Sequence, residues 1–477
     1  MRVLLVAAEM SPLAKVGGLA DVIGSLPHAL NRTGHDARVI LPLHAGIDTA
    51  ARGFARVLAD VPVQTPRGPE LASLWQGVVD GLTVYLVEAM DLFERPQIYG
   101  EPDDNQRFLF FSDAVLAMVP ELDWPVEVLH LHDWHTAFAA ARLDADPAQP
   151  LAATGLLYTI HNLNFRGDFD TDFALANDLT IPQVAGIDRS VLLSAMALGI
   201  ATADLISTVS PTYAREILTP EYGADLDALL RLRADDLSGI TNGLDTELFD
   251  PSRDPHLAAN FSARNSAPKR EDKAVLQREA GLPVDPNIPL IGIVNRLFWQ
   301  KGVDLAAGAI ARVLEDTPLQ FVVLGTGDRE YEEQLAELAR DFPENVRAIF
   351  DFNPPLGQRV YAGADLFLMP SRYEPCGLGQ MIAMRYGAVP VVRRTGGLAD
   401  TVVDDDASPG DGTGFQFEAA DVDALDAALR RAIRAYRDRE RWRAIMRRGM
   451  TRDFTWDEAA TKYVRLYERV RERAQRR

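Results

Sequence analysis

Short, uninterrupted apolar runs alternate with stretches of helical spacing along most of the chain, and this alternation restricts the fold more than any other feature. Residues 2–8 read Arg-Val-Leu-Leu-Val-Ala-Ala, followed by a glycine turn and then by Leu19, Val22, Ile23, Leu26 and Leu30 at helical spacing. A run that is apolar on both faces marks a strand inside a parallel sheet, and the helix after it completes a βα unit. The same reading predicts strands at 35–41, 82–88, 126–131, 154–160 and 205–209, with helices such as 105–119 and 189–201 between them. Strands alternating with helices predict an α/β fold built on a doubly wound parallel sheet.

Residues from about 243 to 289 break the pattern, being rich in Asp, Pro, Asn and Arg. The alternation then resumes, with strands expected at 290–294, 320–324, 346–350, 366–369 and 389–392. A chain of 477 residues exceeds what one hydrophobic core usually serves. Two Rossmann-like domains are therefore expected, 1–243 and 244–455. An internal echo supports the division: Gly17-Gly-Leu-Ala-Asp21 reappears as Gly396-Gly-Leu-Ala-Asp400. Each Gly-Gly pair is placed directly before a helix, where backbone N–H groups favour an anion; a tight loop is the plainer alternative.

A formal net charge of −20 argues against nucleic acid as a partner, because binding a duplex needs a basic face. It does not argue against a nucleotide, which feels local cations inside a cleft more than surface charge screened beyond roughly 8–10 Å. The single cysteine, Cys376, rules out an intrachain disulfide and suits a reducing cytoplasm. No apolar stretch approaches the roughly 20 residues of a membrane span.

Several segments carry candidate chemistry. Lys15 lies two residues before Gly17-Gly18, on the loop leaving the first strand, where ligands of open α/β sheets bind. Arg296 and Lys301 lie on the equivalent loop of the second domain, and two cations there suit a diphosphate. With no Asp-X-Asp after a strand, phosphate handling without a metal is expected; Asp404-Asp-Asp406 reads as a solvated turn. Glu374 follows a buried strand and precedes Pro375 and a helix, as a positioned carboxylate or a plain helix cap. The backbone N–H groups of Cys376, Gly377 and Leu378 beside it are expected to be available to sugar hydroxyls. His130-Leu-His-Asp-Trp-His135 imitates a metal cluster, but its alternation on a strand leaves too few ligands. His161, at the end of another strand, can hydrogen-bond a sugar hydroxyl or a reacting centre.

Together these segments resemble the bacterial glycogen synthase and plant starch synthase family. The likeness rests on Lys15-Val-Gly-Gly-Leu19, Leu131-His-Asp-Trp-His135, Thr159-Ile-His-Asn162, Thr208-Val-Ser-Pro211, Ile240-Thr-Asn-Gly243, Arg296 with Lys301, Glu374-Pro-Cys-Gly-Leu378 and Arg394-Thr-Gly-Gly-Leu398. It implies the GT-B fold, two Rossmann-like doubly wound domains facing a central cleft, with 456–477 crossing back onto the first. It also implies a retaining transfer of glucose from ADP-glucose to an α-1,4-glucan, with no metal or other cofactor. Lys15, Gly17, Gly18, Arg296 and Lys301 would then serve the diphosphate, with the backbone at Thr395, Gly396 and Gly397. His161, Asn242 and Glu374 would hold the glucose, with the backbone of Cys376, Gly377 and Leu378. Asp133 would lie on the acceptor side. Phe352 stands where the family commonly has a tyrosine stacked on adenine; it keeps the ring and lacks the hydroxyl.

Overall fold

The structure is a computed structural model that describes residues 1–476, the side chain of Met90 excepted. The chain divides into two compact units: residues 1–243 together with the segment from Trp456 onward, and residues 244–455. Among the described residues no helix is long and apolar enough to cross a membrane.

The first unit is built on nine strands: β1 Arg2–Val6, β2 Asp36–Pro42, β3 Ala55–Thr65, β4 Gly68–Val79, β5 Leu82–Glu88, β6 Val128–His132, β7 Gly155–Ile160, β8 Leu205–Thr208 and β9 Leu237–Gly239. Their order in the sheet is β3-β4-β5-β2-β1-β6-β7-β8-β9. The pairings are parallel except for β3–β4 and β4–β5, which form an antiparallel edge. Chain order reverses between β1 and β6, so the loops leaving these two strands flank the crevice where such sheets hold ligands. Helices cover both faces, as the apolar runs require.

The last helix, Trp456–Ala474, belongs to this first unit. Its Trp456, Tyr463, Tyr467 and Val470 are buried in one apolar cluster with Val3 and Leu5 of β1 and Val22 and Leu26 of the helix Gly18–Arg32. Each large side chain so buried contributes about 1.5–3 kcal/mol. Gly243 marks where the chain leaves the unit. A Cβ there would meet the backbone N of Trp456 at 2.7 Å, so no other residue fits.

The second unit holds β10 Leu290–Val294, β11 Gln320–Leu324, β12 Val346–Ile349, β13 Leu366–Met369, β14 Val389–Arg393 and β15 Phe415–Phe417. The order is β12-β11-β10-β13-β14-β15, with the pairings parallel. Here the reversal lies between β10 and β13, and the loops that follow them carry Arg296, Lys301 and Glu374.

Three local expectations are corrected. The single helix expected at 189–201 is a 3-10 turn, Arg189–Leu192, and a separate helix, Ala195–Thr202. Ser194 divides them because its side chain accepts from Ala197 N and caps the second helix. The charged stretch taken for linkage contains a helix, Lys269–Glu279, whose lysines are buried. Lys269 donates to the carbonyls of Ala362 and Tyr386, and Lys273 to Asp365 at 2.7 Å, so carbonyls and a carboxylate replace water around each cation. Burial pushes the Lys269 ammonium down to about 8. Finally, 404–406 is not a solvated turn: Asp405 is buried between Arg441 and Arg448, while Arg431 bridges Asp404 and Asp406.

Candidate functional site

In the first unit Lys15, Gly17, Gly18, Asp133, His161 and Asn242 all lie beyond the carboxyl ends of strands β1, β6, β7 and β9. The loop after β1 turns on Glu9, which is buried and accepts from the amides of Val16 and Gly17 and from the Tyr99 hydroxyl. Burial is the largest influence on Glu9 and raises its pKa. The Gly17 amide expected to meet an anion is therefore already held by a carboxylate. Gly18 opens the helix Gly18–Arg32 and faces open space. Lys15 is exposed and pairs with Asp21 at 2.6 Å, a partner it can exchange for a ligand at small cost.

Asp133 follows β6 with φ 58° and ψ 179°, a conformation nearly confined to glycine and costing about 1–3 kcal/mol. Such strain persists only where the surroundings fix it. Here the Asp133 carboxylate accepts from the backbone N–H of His161 at 2.7 Å, tying the β6 and β7 loops together. Burial pushes this carboxyl up to about 7, opposed by those backbone donors and reinforced by Glu9. His161 stays neutral, its pKa lowered to about 3 by desolvation. Its Nε2 lies 2.9 Å from Nδ1 of His132, whose ring in turn lies 3.9 Å from that of His130. His130 is held by Thr159 Oγ1 at 2.6 Å and Tyr467 OH at 2.9 Å. Asn242 is buried, and its Oδ1 has no donor among the described residues.

In the second unit Lys301 Nζ lies 2.6 Å from Glu374 Oε2, and Ser371 Oγ donates to the same oxygen at 2.9 Å. Glu374 is 5% exposed, so its ion pair is largely desolvated. The helix after it begins only at Gly379, which makes Glu374 a residue of the preceding loop and not a cap of that helix. The amides of Gly377 and Leu378 make no hydrogen bond among the described residues. Gly377 adopts φ 75°, which turns this short segment.

Gly396 and Gly397 serve this loop by closeness. A Cβ on Gly396 would lie 1.9 Å from the Glu374 carbonyl oxygen, and one on Gly397 would lie 2.1 Å from that of Cys376. The Gly397 N–H donates to the carbonyls of Glu374 and Pro375 at 3.1 Å, so the second Gly-Gly pair backs the Glu374 segment instead of offering that amide to an anion. Thr395, fully buried, occupies the N-cap position of the helix Gly396–Thr401 without a side-chain capping bond. Arg296 is exposed, stacks over Phe298 at 5.3 Å and has no acidic partner among the described residues. Phe352 follows β12 and is 79% exposed, a free aromatic face.

The structure thus joins Asp133 with His161 in one unit, and Lys301, Glu374 and the 374–378 backbone with Gly396 and Gly397 in the other. Lys15, Asn242, Arg296 and Phe352 sit at the same sheet ends without touching those clusters. Sequence reasoning passed over Glu9 and Ser371, and weighed His132 only as part of an apparent metal cluster. Glu9 is the first charge after β1, and that position was its only signal.

The starch synthase catalytic domain model matches residues 2–232, and the glycosyl transferases group 1 model matches residues 277–448. The chain is 45% identical to glycogen synthase 2 of Geobacter sulfurreducens, over 98% of each chain. It is 46% identical to a glycogen synthase of Anaeromyxobacter dehalogenans, again over 98% of each. Among solved structures it superposes on the catalytic domain of starch synthase IV from Arabidopsis thaliana, bound to ADP and acarbose, with a TM-score of 0.89 and 35% identity over 98% of this chain and 99% of that one. A sucrose-phosphate synthase from Thermosynechococcus elongatus shares the fold at a TM-score of 0.64 and 18% identity. With two parallel-sheet domains, matching models over both and full-length relatives above 40% identity, the chain belongs to the bacterial glycogen synthase and plant starch synthase family of GT-B glycosyltransferases.

Proposed function

We propose that the chain transfers glucose from ADP-glucose to the non-reducing end of an α-1,4-glucan, with retention at the anomeric carbon and release of ADP. The observation that carries this reading is the Glu374 loop: a buried carboxylate fixed by Lys301 and Ser371 beside two unspent amides, those of Gly377 and Leu378. Sugars are bound by such mixtures of fixed acceptors and donors, and a carboxylate that cannot turn aside selects hydroxyl geometry.

In this reading Glu374 and the 376–378 backbone, with His161 and Asn242, hold the glucose. Arg296 and Lys301, joined by Lys15 and Gly18, stabilise the charge that builds on the departing diphosphate, backed by Thr395, Gly396 and Gly397, while Gly17 holds the loop to Glu9. Fixed cations of this kind are worth several kcal/mol at a leaving group and leave no step that requires a metal. Phe352 offers its exposed ring to adenine. Asp133 serves the acceptor side. The solved Arabidopsis relative is bound to ADP and acarbose, which accords with an adenine-nucleotide donor.

Donor competition tests the choice of nucleotide. With ADP-glucose and UDP-glucose present together at equal concentration and glycogen as acceptor, nearly all nucleoside diphosphate released should be ADP. A predominance of UDP would refute the donor assignment.

A further inference from the structure

His132 lies one position before the strained Asp133 and is fully buried, yet no step above uses it. Its Nδ1 is 2.9 Å from His161 Nε2, so one of the two nitrogens carries the proton between them. Its own Nε2 is buried with no partner among the described residues. Desolvation keeps both rings neutral, so each bears one N–H.

Two arrangements satisfy the 2.9 Å contact. If His161 Nε2–H donates, His132 must carry its proton on Nε2, leaving a buried N–H with no acceptor. If His132 Nδ1–H donates, His132 Nε2 is a bare lone pair and His161 carries its proton on Nδ1. Buried N–H groups without acceptors are rarer than under-used acceptors, because the donor forfeits its full hydration. The second arrangement is therefore favoured. The His132 ring is held in place by His130, which is anchored on β7 through Thr159 and on the last helix through Tyr467.

The geometry points to His132 as a positioning residue that donates from Nδ1 to His161 Nε2 and locks His161 as the Nδ1–H tautomer, so that His161 meets the sugar as a hydrogen-bond donor. This rests on the reading that His161 touches the transferred glucose. It deepens that reading by fixing the sign of the contact: His161 gives a hydrogen bond to a sugar oxygen and does not accept a proton from one. A carboxylate elsewhere fixes an imidazole's tautomer by accepting its N–H; here a neutral ring fixes it by donating.

The tautomer is directly measurable. In the full-length enzyme labelled with 15N at histidine, long-range proton–nitrogen correlations distinguish protonated from bare ring nitrogens, and His132→Asn and His161→Asn assign the signals. The expected spectrum has Nδ1 protonated on both rings and Nε2 bare on both. A protonated Nε2 on His161 would overturn the proposal whatever the kinetics show.

Turnover supplies a separate readout. His132→Leu, which cannot donate, should lower kcat by about 10²-fold with the KM for glucan little changed, whereas His132→Asn, which retains an N–H, should recover to within about tenfold of the parent. Equal loss in both variants would contradict a role through donation. Should the spectrum be as expected while His161→Ala keeps parental turnover, the contact of His161 with sugar fails and the tautomer lock stands. The two claims thus fail separately.

Discussion

Lys301→Ala is expected to lower kcat by roughly 10²–10³-fold and to destabilise the protein by about 3–5 kcal/mol, the scale seen when one partner of a buried ion pair is removed. The cause is local. Glu374 is 5% exposed, and without Lys301 its carboxylate keeps, among the described residues, only the Ser371 hydroxyl at 2.9 Å as a compensating group. A desolvated charge then drives the loop either to open or to take up a proton, and both remove the fixed acceptor beside the Gly377 and Leu378 amides. The double variant Lys301→Met with Glu374→Gln separates the two losses. It should regain most of the stability, because no charge is left buried, while turnover stays low. Urea midpoints and saturated initial rates on the three proteins decide the matter. If the single and double variants are equally stable, the ion pair does not support the loop in the way described here.

Acidification should unfold the protein well before its carboxylates titrate in the usual range, because a group of buried histidines refuses protons. His44 and His135 are pushed down to about 4 and about 3, chiefly by burial and also by neighbouring positive charge that includes Arg107, opposed at His44 by its hydrogen bond to the Ala8 carbonyl. That arginine is fully buried and ion-paired to Asp104. His130 and His132 lie well below the ordinary imidazole value, for burial above all. In each case the unfolded chain binds a proton that the folded chain does not, so stability is lost as pH falls through about 6.5. His161, lowered to about 3, behaves in the same way, so at pH 5 each ring costs roughly 2 kcal/mol by linkage, or about 10 for the five if independent.

Asp133 opposes this. Raised to about 7 by burial, it costs stability as pH rises from about 4 to 7, and its relief between pH 7 and pH 5 amounts to only about 2 kcal/mol. The histidines therefore win. Thermal midpoints should fall steeply from pH 7 to 5, and the fall should be shallower in His135→Phe, which removes a ring with two unsatisfied nitrogens from a setting of Tyr99, Phe108 and Trp134. A flat profile over this range would show that the histidines are hydrated or proton-accessible in the folded state.

The elements legible in the sequence share one physical circumstance. Strands β1, β2, β6, β7, β10, β11, β13 and β14 lie inside parallel sheets, buried on both faces, and therefore appear as plain apolar runs. The edge hairpin β3–β4 was not legible because most side chains of β3 face solvent, so its residues Ala55–Thr65 carry no clear burial pattern. The Lys269–Glu279 helix was hidden for the opposite reason: its lysines look like surface charge until the carbonyls of Ala362 and Tyr386 are seen beside them.

The candidate site shows the same division. Loop position after a strand was enough to single out Lys15, Arg296, Lys301, Glu374 and His161. The pairings were out of reach, since Lys301 and Glu374 are 73 residues apart and His132 and His161 are 29 apart. The Gly17-Gly18 and Gly396-Gly397 echo suggested one job for both copies. In the fold they differ: the first pair follows a loop closed on Glu9, and the second lies against the backbone of 374–376.

The most direct test of the proposed reaction follows the sugar itself. The enzyme is incubated with glycogen and ADP-glucose labelled in its glucose, and the recovered polymer is then digested with an exo-acting β-amylase, which removes maltose from non-reducing ends only through α-1,4 bonds. ADP should be released in step with incorporation, and the label should leave the polymer as maltose. Label recovered as free glucose, or held in polymer that the exo-enzyme cannot open, would contradict the proposed reaction.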